Sequence, residues 1–266
     1  MVKINFNLRK LTRIKTEDLR NRYRGMQAVS SRHDNIRGFD QNKISNACVV
    51  IVGLGMNSIT AHSCVQKGVG SIFLIDGDTV DPSNLNRQIY HSKDIGRNKA
   101  MALAHNLKHM GFMGSELMPV PLFFQAAIEQ GHDFAPNVFV VGVDNDETRV
   151  YVSRYALEKN IPAIFTAVSA DANNGEVFCQ IPGQACYVCA HLEAFANRRQ
   201  PCPGTPATVD IVKVMSGFVS YCVDTVVMDR TRNWNQRVVY LAGILSDEKR
   251  MVKRRPGCPL CGNNKQ

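Results

Sequence analysis

Continuous apolar runs alternate with amphipathic stretches along most of this chain. Residues 46–53 (Asn-Ala-Cys-Val-Val-Ile-Val-Gly) read as a strand buried on both faces and closed by a glycine turn. Residues 57–68 then predict a helix, stopped by Gly68 and Gly70. Residues 71–76 (Ser-Ile-Phe-Leu-Ile-Asp) predict a second short strand that ends in an acid. The alternation continues with helices over 96–110 and 146–159 and strands over 137–143 and 162–168. A strand at 117–122 is interrupted by Pro119 and Pro121. Strands that alternate with helices predict an α/β fold with a doubly wound, mostly parallel sheet. Beyond residue 170 the pattern changes. Strands at 175–181 and 236–242, with a helix over 208–229 between them, predict an added antiparallel portion. With no internal repeat and no low-complexity linker, the expected organisation is a basic arm over 1–25 and one domain over 26–266.

Composition narrows the class. A chain of 266 residues with 44% hydrophobic content has the make-up of an ordinary soluble domain. No apolar run approaches the roughly 18 residues of a membrane span, and the N-terminus shows no apolar core of a secretory signal. Net charge is +9, and residues 1–37 hold ten Lys/Arg against three Asp/Glu. No aromatic interleaving or nucleic-acid motif accompanies that charge, so a solvated arm is expected rather than a nucleic-acid partner. Of nine cysteines, Cys48, Cys64, Cys179, Cys202 and Cys222 form an odd remainder outside two CxxC pairs. Free thiols in a reducing cytoplasm are therefore expected rather than a disulfide framework.

The two CxxC pairs carry the strongest chemistry. Cys186-Tyr-Val-Cys189 and Cys258-Pro-Leu-Cys261 can each offer two thiolates to one tetrahedral Zn²⁺. Four thiolates leave no open coordination position, so such a site is structural, and it pins the C-terminus to the body of the protein. Upstream, Gly53-Leu-Gly55 follows a strand and opens a helix, with Asp76 placed to bond a ribose hydroxyl. The third glycine of a dinucleotide fingerprint is missing. Ser58 occupies that position, and Met56 and Asn57 precede it. The loop from Asp76 through Asp78 and Asn84 to Arg87 and Gln88 gathers two acids, an amide and a guanidinium at one place. Lys99 opens the next helix and Asp144 closes the strand over 137–143. Carboxylates at strand ends with cations at helix starts suit a nucleoside triphosphate with Mg²⁺ better than hydride chemistry.

These stretches resemble the E1-like (ubiquitin-activating) superfamily, in the group of ThiF, MoeB and HesA adenylyltransferases. The resemblance is carried by Val52–Gly55, Gly68-Val-Gly70, Leu74–Asp78, the run Ser83-Asn-Leu-Asn-Arg-Gln88, Asp94–Lys99, Val143-Asp-Asn145 and both CxxC pairs, from about residue 32 to about 262. It implies a Rossmann-like fold that uses ATP and Mg²⁺ to adenylate a carboxylate. The usual donor is the C-terminus of a small ubiquitin-like or sulfur-carrier protein ending in Gly-Gly. Gly53, Gly55 and Asp78 would then line the nucleotide site and Asp76 would hold the ribose. Asn84, Arg87 and Lys99 would contact phosphates, and Asp144 would bind Mg²⁺. The family also places an arginine before the first strand that reaches into a partner's site, which implies a homodimer. Arg32 matches best, and Arg22 and Arg24 are rivals. Some members pass the acyl group to a cysteine, and Cys202, in a Pro/Gly loop near Arg198 and Arg199, is the candidate here. Alternative expectations are a peptide or small-metabolite carboxylate as donor, a non-catalytic partner subunit, and a nicotinamide-binding enzyme.

Overall fold

The computed structural model describes residues 11–20, 29–196, 206–241 and 247–262. Its centre is a parallel sheet of β2 (Cys48–Val52), β3 (Ser71–Ile75), β4 (Glu116–Val120), β5 (Val138–Val141) and β6 (Ala163–Val168). Val49 to Val52 are each at most 2% exposed. Val49 and Ile51 face one core cluster, and Val50 and Val52 face the other. Each side chain so buried stabilises the fold by about 1.5–3 kcal/mol, and the pleat divides that between two layers. One face is covered by α2 (Asn57–Gln66), α3 (Lys99–Leu107) and α8 (Val209–Val227). The other is covered by α4 (Phe124–Glu129), α5 (Asp146–Glu158) and the cysteine-bearing segments.

With β1 (Ile14–Lys15) at one edge and β7 (Asn174–Gln180), β8 (Gln236–Tyr240) and β9 (Glu248–Arg250) towards the other, the sheet order is β1-β4-β3-β2-β5-β6-β7-β8-β9. The chain moves outward from β2 through β3 to β4, then returns to the other side of β2 with β5 and β6. The crevice at the carboxyl ends of β2 and β5 is therefore a topological switch point, where open α/β sheets place their ligands. β7, β8 and β9 extend the sheet in antiparallel register. The mixed sheet bears out the expected fold class. Pro119 does not break β4. Its register partner is Leu74 of β3, and Leu117 and Val120 are buried. Part of the basic N-terminal stretch is in the sheet, with β1 pairing antiparallel with β4. Among the described residues, no helix is long and apolar enough to cross a membrane.

Candidate functional site: a charged cleft at the switch point

A cleft of about 420 Å³ opens over the carboxyl ends of β2, β3 and β5, a size in the range of small-molecule sites. Gly53, Gly55, Asp76, Asp78, Asn84, Arg87, Lys99 and Asp144 all line it. Gly53 has φ of +82°, and a Cβ there would lie 2.8 Å from the Gly142 carbonyl oxygen. Only glycine lets the turn after β2 fit against the turn after β5. At Gly55 a Cβ would make only an ordinary contact, with Gln88 Nε2 at 3.6 Å.

Asp76 sits at the end of β3 and is 7% exposed. Its Oδ2 accepts the Leu54 N–H at 2.7 Å and its Oδ1 accepts the Asp78 N–H at 2.9 Å. Burial pushes its pKa above the ordinary carboxylate value, while Lys99 and the two N–H donors oppose that shift. The carboxylate thus costs free energy to keep charged, and its two N–H donors fix the direction it presents.

The loop after Asp76 is held by its own polar groups. Asp81 caps a short turn at Pro82–Asn84 by accepting the Ser83 N–H, and Asn84 Oδ1 accepts the Asp81 N–H at 3.0 Å. Asn84 is thereby buried as a fixed corner. Arg87 Nη1 donates back to the Ser83 carbonyl at 2.6 Å, folding the guanidinium along the cleft wall. Asn98 ties the start of α3 to the same loop through the Asp76 and Asp78 carbonyls at 2.9 and 3.1 Å. Lys99 follows directly, and its ammonium meets Asp78 Oδ2 at 3.1 Å. The missing third glycine has a local explanation. Ser58 is fully buried, and its hydroxyl accepts the Ile89 N–H at 3.1 Å, holding the end of the charged loop against α2. Met56 lines the cleft, whereas Asn57 is fully buried beneath it.

Across the cleft, Asp144 is exposed in the turn between β5 and α5. Asn145 caps α5 by accepting the Thr148 N–H at 2.8 Å. Arg149 reaches back from the first turns of α5 and donates Nη2 to the Val143 carbonyl at 2.7 Å. Arg149, Phe123 and Thr166 also line the cleft. None was singled out from the sequence. Arg149 reads there as one more charge on a helix, and Phe123 as part of an apolar run after a Pro-broken strand.

Arg32 lies elsewhere, exposed in the turns over 29–37, and does not line this cleft. Cys202, Arg198, Arg199, Arg22 and Arg24 fall outside the described residues.

The CxxC pairs, 72 residues apart in the chain, meet. Cys186 Sγ lies 3.7 Å from Cys189 Sγ and 3.6 Å from Cys258 Sγ, and Cys189 Sγ lies 3.5 Å from Cys261 Sγ. All four sulfurs are within 4.8 Å of one another. These spacings exclude a disulfide, whose sulfurs are about 2.05 Å apart. They match the edge of about 3.8 Å in a tetrahedron with metal–sulfur bonds of about 2.3 Å. The Arg255 N–H points at Cys189 Sγ at 3.4 Å, the kind of outer contact that stabilises a thiolate ligand.

The ThiF family profile matches residues 23–260. The chain belongs to the ThiF family. Among curated proteins it is 31% identical over 159 residues to ubiquitin-like modifier-activating enzyme 5 of Dictyostelium discoideum, covering 55% of this chain and 42% of that one. It is 25% identical over 248 residues to the SAMP-activating enzyme E1 of Haloferax volcanii, covering 87% of each. The chain thus spans less than half of the first relative and most of the second. Among solved structures, E. coli MccB with ATP has a TM-score of 0.69 at 21% identity, covering 84% of this chain and 68% of that one. MccB with AMPCPP and MccA superposes equally well. That likeness is one of fold, and it bears out the doubly wound sheet with its antiparallel extension.

Proposed function

We propose that this ThiF-family chain is an ATP-dependent adenylyltransferase that activates the C-terminal carboxylate of a ubiquitin-like or sulfur-carrier protein. The observation that carries the reading is the convergence of Asp76, Arg87, Lys99 and Asp144 on one switch-point cleft. The names of the curated relatives support the substrate class. In the reaction, a carboxylate oxygen of the donor attacks the α-phosphorus of ATP. The bond from that phosphorus to the bridging oxygen breaks, and pyrophosphate leaves with the electron pair. Negative charge accumulates on the α-phosphoryl oxygens, and preplaced cations lower that barrier most. Arg87 and Lys99 supply those cations, Asn84 adds an amide contact, and Asp76 holds the ribose. The exposed Asp144 carboxylate is a ligand for Mg²⁺, which neutralises phosphate charge when bound.

The four-cysteine knuckle is a structural Zn²⁺ site by its donor set and spacing. A homodimer with Arg32 reaching the neighbouring cleft and a cytoplasmic setting belong to the same reading. So does acyl transfer to Cys202. A peptide carboxylate is the second reading for the donor, because MccB, whose fold this chain shares, was solved with MccA.

The test is calorimetry on zinc-replete protein with ATP, with and without Mg²⁺, and with NAD, for wild type and Asp144→Ala. Wild type should bind ATP more tightly with Mg²⁺, and Asp144→Ala should lose on the order of ten-fold of that affinity. Tight NAD binding, or ATP binding indifferent to both Mg²⁺ and Asp144, would sink the proposal. Pyrophosphate exchange that requires a Gly-Gly-ending protein rather than a peptide then decides the donor.

A further inference from the structure

Tyr187 lies inside the knuckle, between Cys186 and Cys189, and is 4% exposed. Its ring packs on Phe165 at 4.5 Å and on His191 at 4.6 Å. Its hydroxyl is 3.4 Å from Arg149 Nη1 and 3.4 Å from Asp146 Oδ1. Its backbone N–H donates to Gln180 Oε1 at 2.9 Å, and Gln180 Nε2 donates to the Ser153 carbonyl at 3.0 Å. The knuckle therefore holds α5 at two heights, near Ser153 and at the N-terminal turn.

Arg149 carries that hold into the cleft. Its Nη2 donates to the carbonyl of Val143, the residue immediately before Asp144. Its Nη1 also meets Asp146 Oδ1 at 3.3 Å. Burial works against the charge of Arg149, and Tyr187 and Asp146 sustain it. One guanidinium thus joins the knuckle, the start of α5 and the turn bearing Asp144. A planar fork with donors on separate nitrogens suits such a junction, which the single nitrogen of a lysine would not span.

We propose that Tyr187 and Arg149 are positioning residues that transmit the metal-held geometry of the knuckle to the Asp144 turn. Magnesium-dependent nucleotide binding then depends on a loaded knuckle. The proposal rests on the reading of Asp144 as the Mg²⁺ ligand. A double-mutant cycle between Tyr187 and Asp144 reads this coupling directly.

Calorimetry on the metal-loaded full chain compares ATP with and without Mg²⁺, and AMP, for wild type, Tyr187→Phe, Arg149→Lys, Asp144→Asn and the Tyr187→Phe/Asp144→Asn double variant. Melting temperature is followed in parallel. Tyr187→Phe keeps the packed ring and removes only the hydroxyl. It should cut the Mg²⁺-dependent gain in ATP affinity about five-fold and leave AMP affinity within about two-fold. Arg149→Lys should lose Mg²⁺–ATP affinity by more than Tyr187→Phe does. In the Asp144→Asn background Tyr187→Phe should change nothing further. Chelator-stripped wild type should show the selective loss and recover it with Zn²⁺. Tyr187→Phe that binds Mg²⁺–ATP as wild type does, loses AMP and Mg²⁺–ATP equally, or adds its full effect to Asp144→Asn would overturn the proposal. Absence of any Mg²⁺ gain in wild type would instead overturn the reading of Asp144 beneath it.

Discussion

At the residue scale, two glycines two positions apart do different work. At Gly53 the backbone is left-handed and a Cβ would meet the Gly142 carbonyl oxygen and Val143 Cγ1, each at 2.8 Å. Gly53→Ala therefore combines backbone strain of about 1–2 kcal/mol with displacement of the turn after β5. Melting temperature and ATP affinity should fall together. At Gly55 a Cβ would meet only Gln88 Nε2 at 3.6 Å, an ordinary contact. Gly55→Ala should melt within about 2 °C of wild type and lose ATP affinity, because its methyl projects where phosphates approach the backbone. Thermal melts beside ATP calorimetry separate the two. A Gly55→Ala protein that binds ATP like wild type would place the phosphates elsewhere. The charges around these glycines were legible in the sequence because each sits at a strand end or helix start, a position the apolar pattern already marks. Arg149 was not legible. Its importance lies in which carbonyl its guanidinium reaches, and that is decided by packing.

At the scale of elements, α2 and α8 pack side by side beneath the cleft, and a half-buried ion pair joins them. Lys67 Nζ meets Asp224 Oδ1 at 2.6 Å and the Ser220 carbonyl at 3.0 Å. Burial raises the Asp224 pKa, and Lys67 opposes that rise. Lys67→Met leaves the carboxylate without its cation and should cost about 3 kcal/mol at neutral pH. The deficit has a definite pH sign. An acid whose folded-state pKa is raised above its unfolded value loses stability as pH climbs through that interval. The deficit of Lys67→Met should therefore shrink on acidification, and adding Asp224→Asn should recover most of it at neutral pH. Denaturant melts across pH check both, and a deficit indifferent to pH would show that packing, not charge, is lost. Most elements were readable because β2, β3, β5 and β6 are continuous apolar runs separated by helical periods. The pieces missed are short. α4 has six residues and β9 three, too few for a period to emerge. β9 is also polar, Glu-Lys-Arg, and is fixed by pairing with β8 rather than by propensity.

At the scale of the whole molecule, the CxxC spacing foretold a closure that the apolar pattern could not, since residues 247–262 contribute little else to the core. Cys186, Cys189, Cys258 and Cys261 belong to the cluster on one face of the sheet, with α4 and α5. The other face, with α2, α3 and α8, contains no member of the knuckle. Metal removal should therefore act unevenly. Without metal, four buried thiols are held only by weak S–H contacts, and the C-terminal segment loses its tether to Cys186 and Cys189. Hydrogen exchange on stripped protein should show lost protection over 186–196 and 252–262, while β2, β3 and α2 keep theirs. Melting temperature should fall and return with Zn²⁺ at one metal per chain, because binding that favours the folded state adds directly to its stability. Cys261→Ser should reproduce the local exposure without a chelator. Uniform loss of protection across both faces would mean that the knuckle is part of one cooperative unit with the nucleotide half. Unchanged protection over 252–262 would mean that packing of Val252 and Leu260, rather than metal, holds the C-terminus in place.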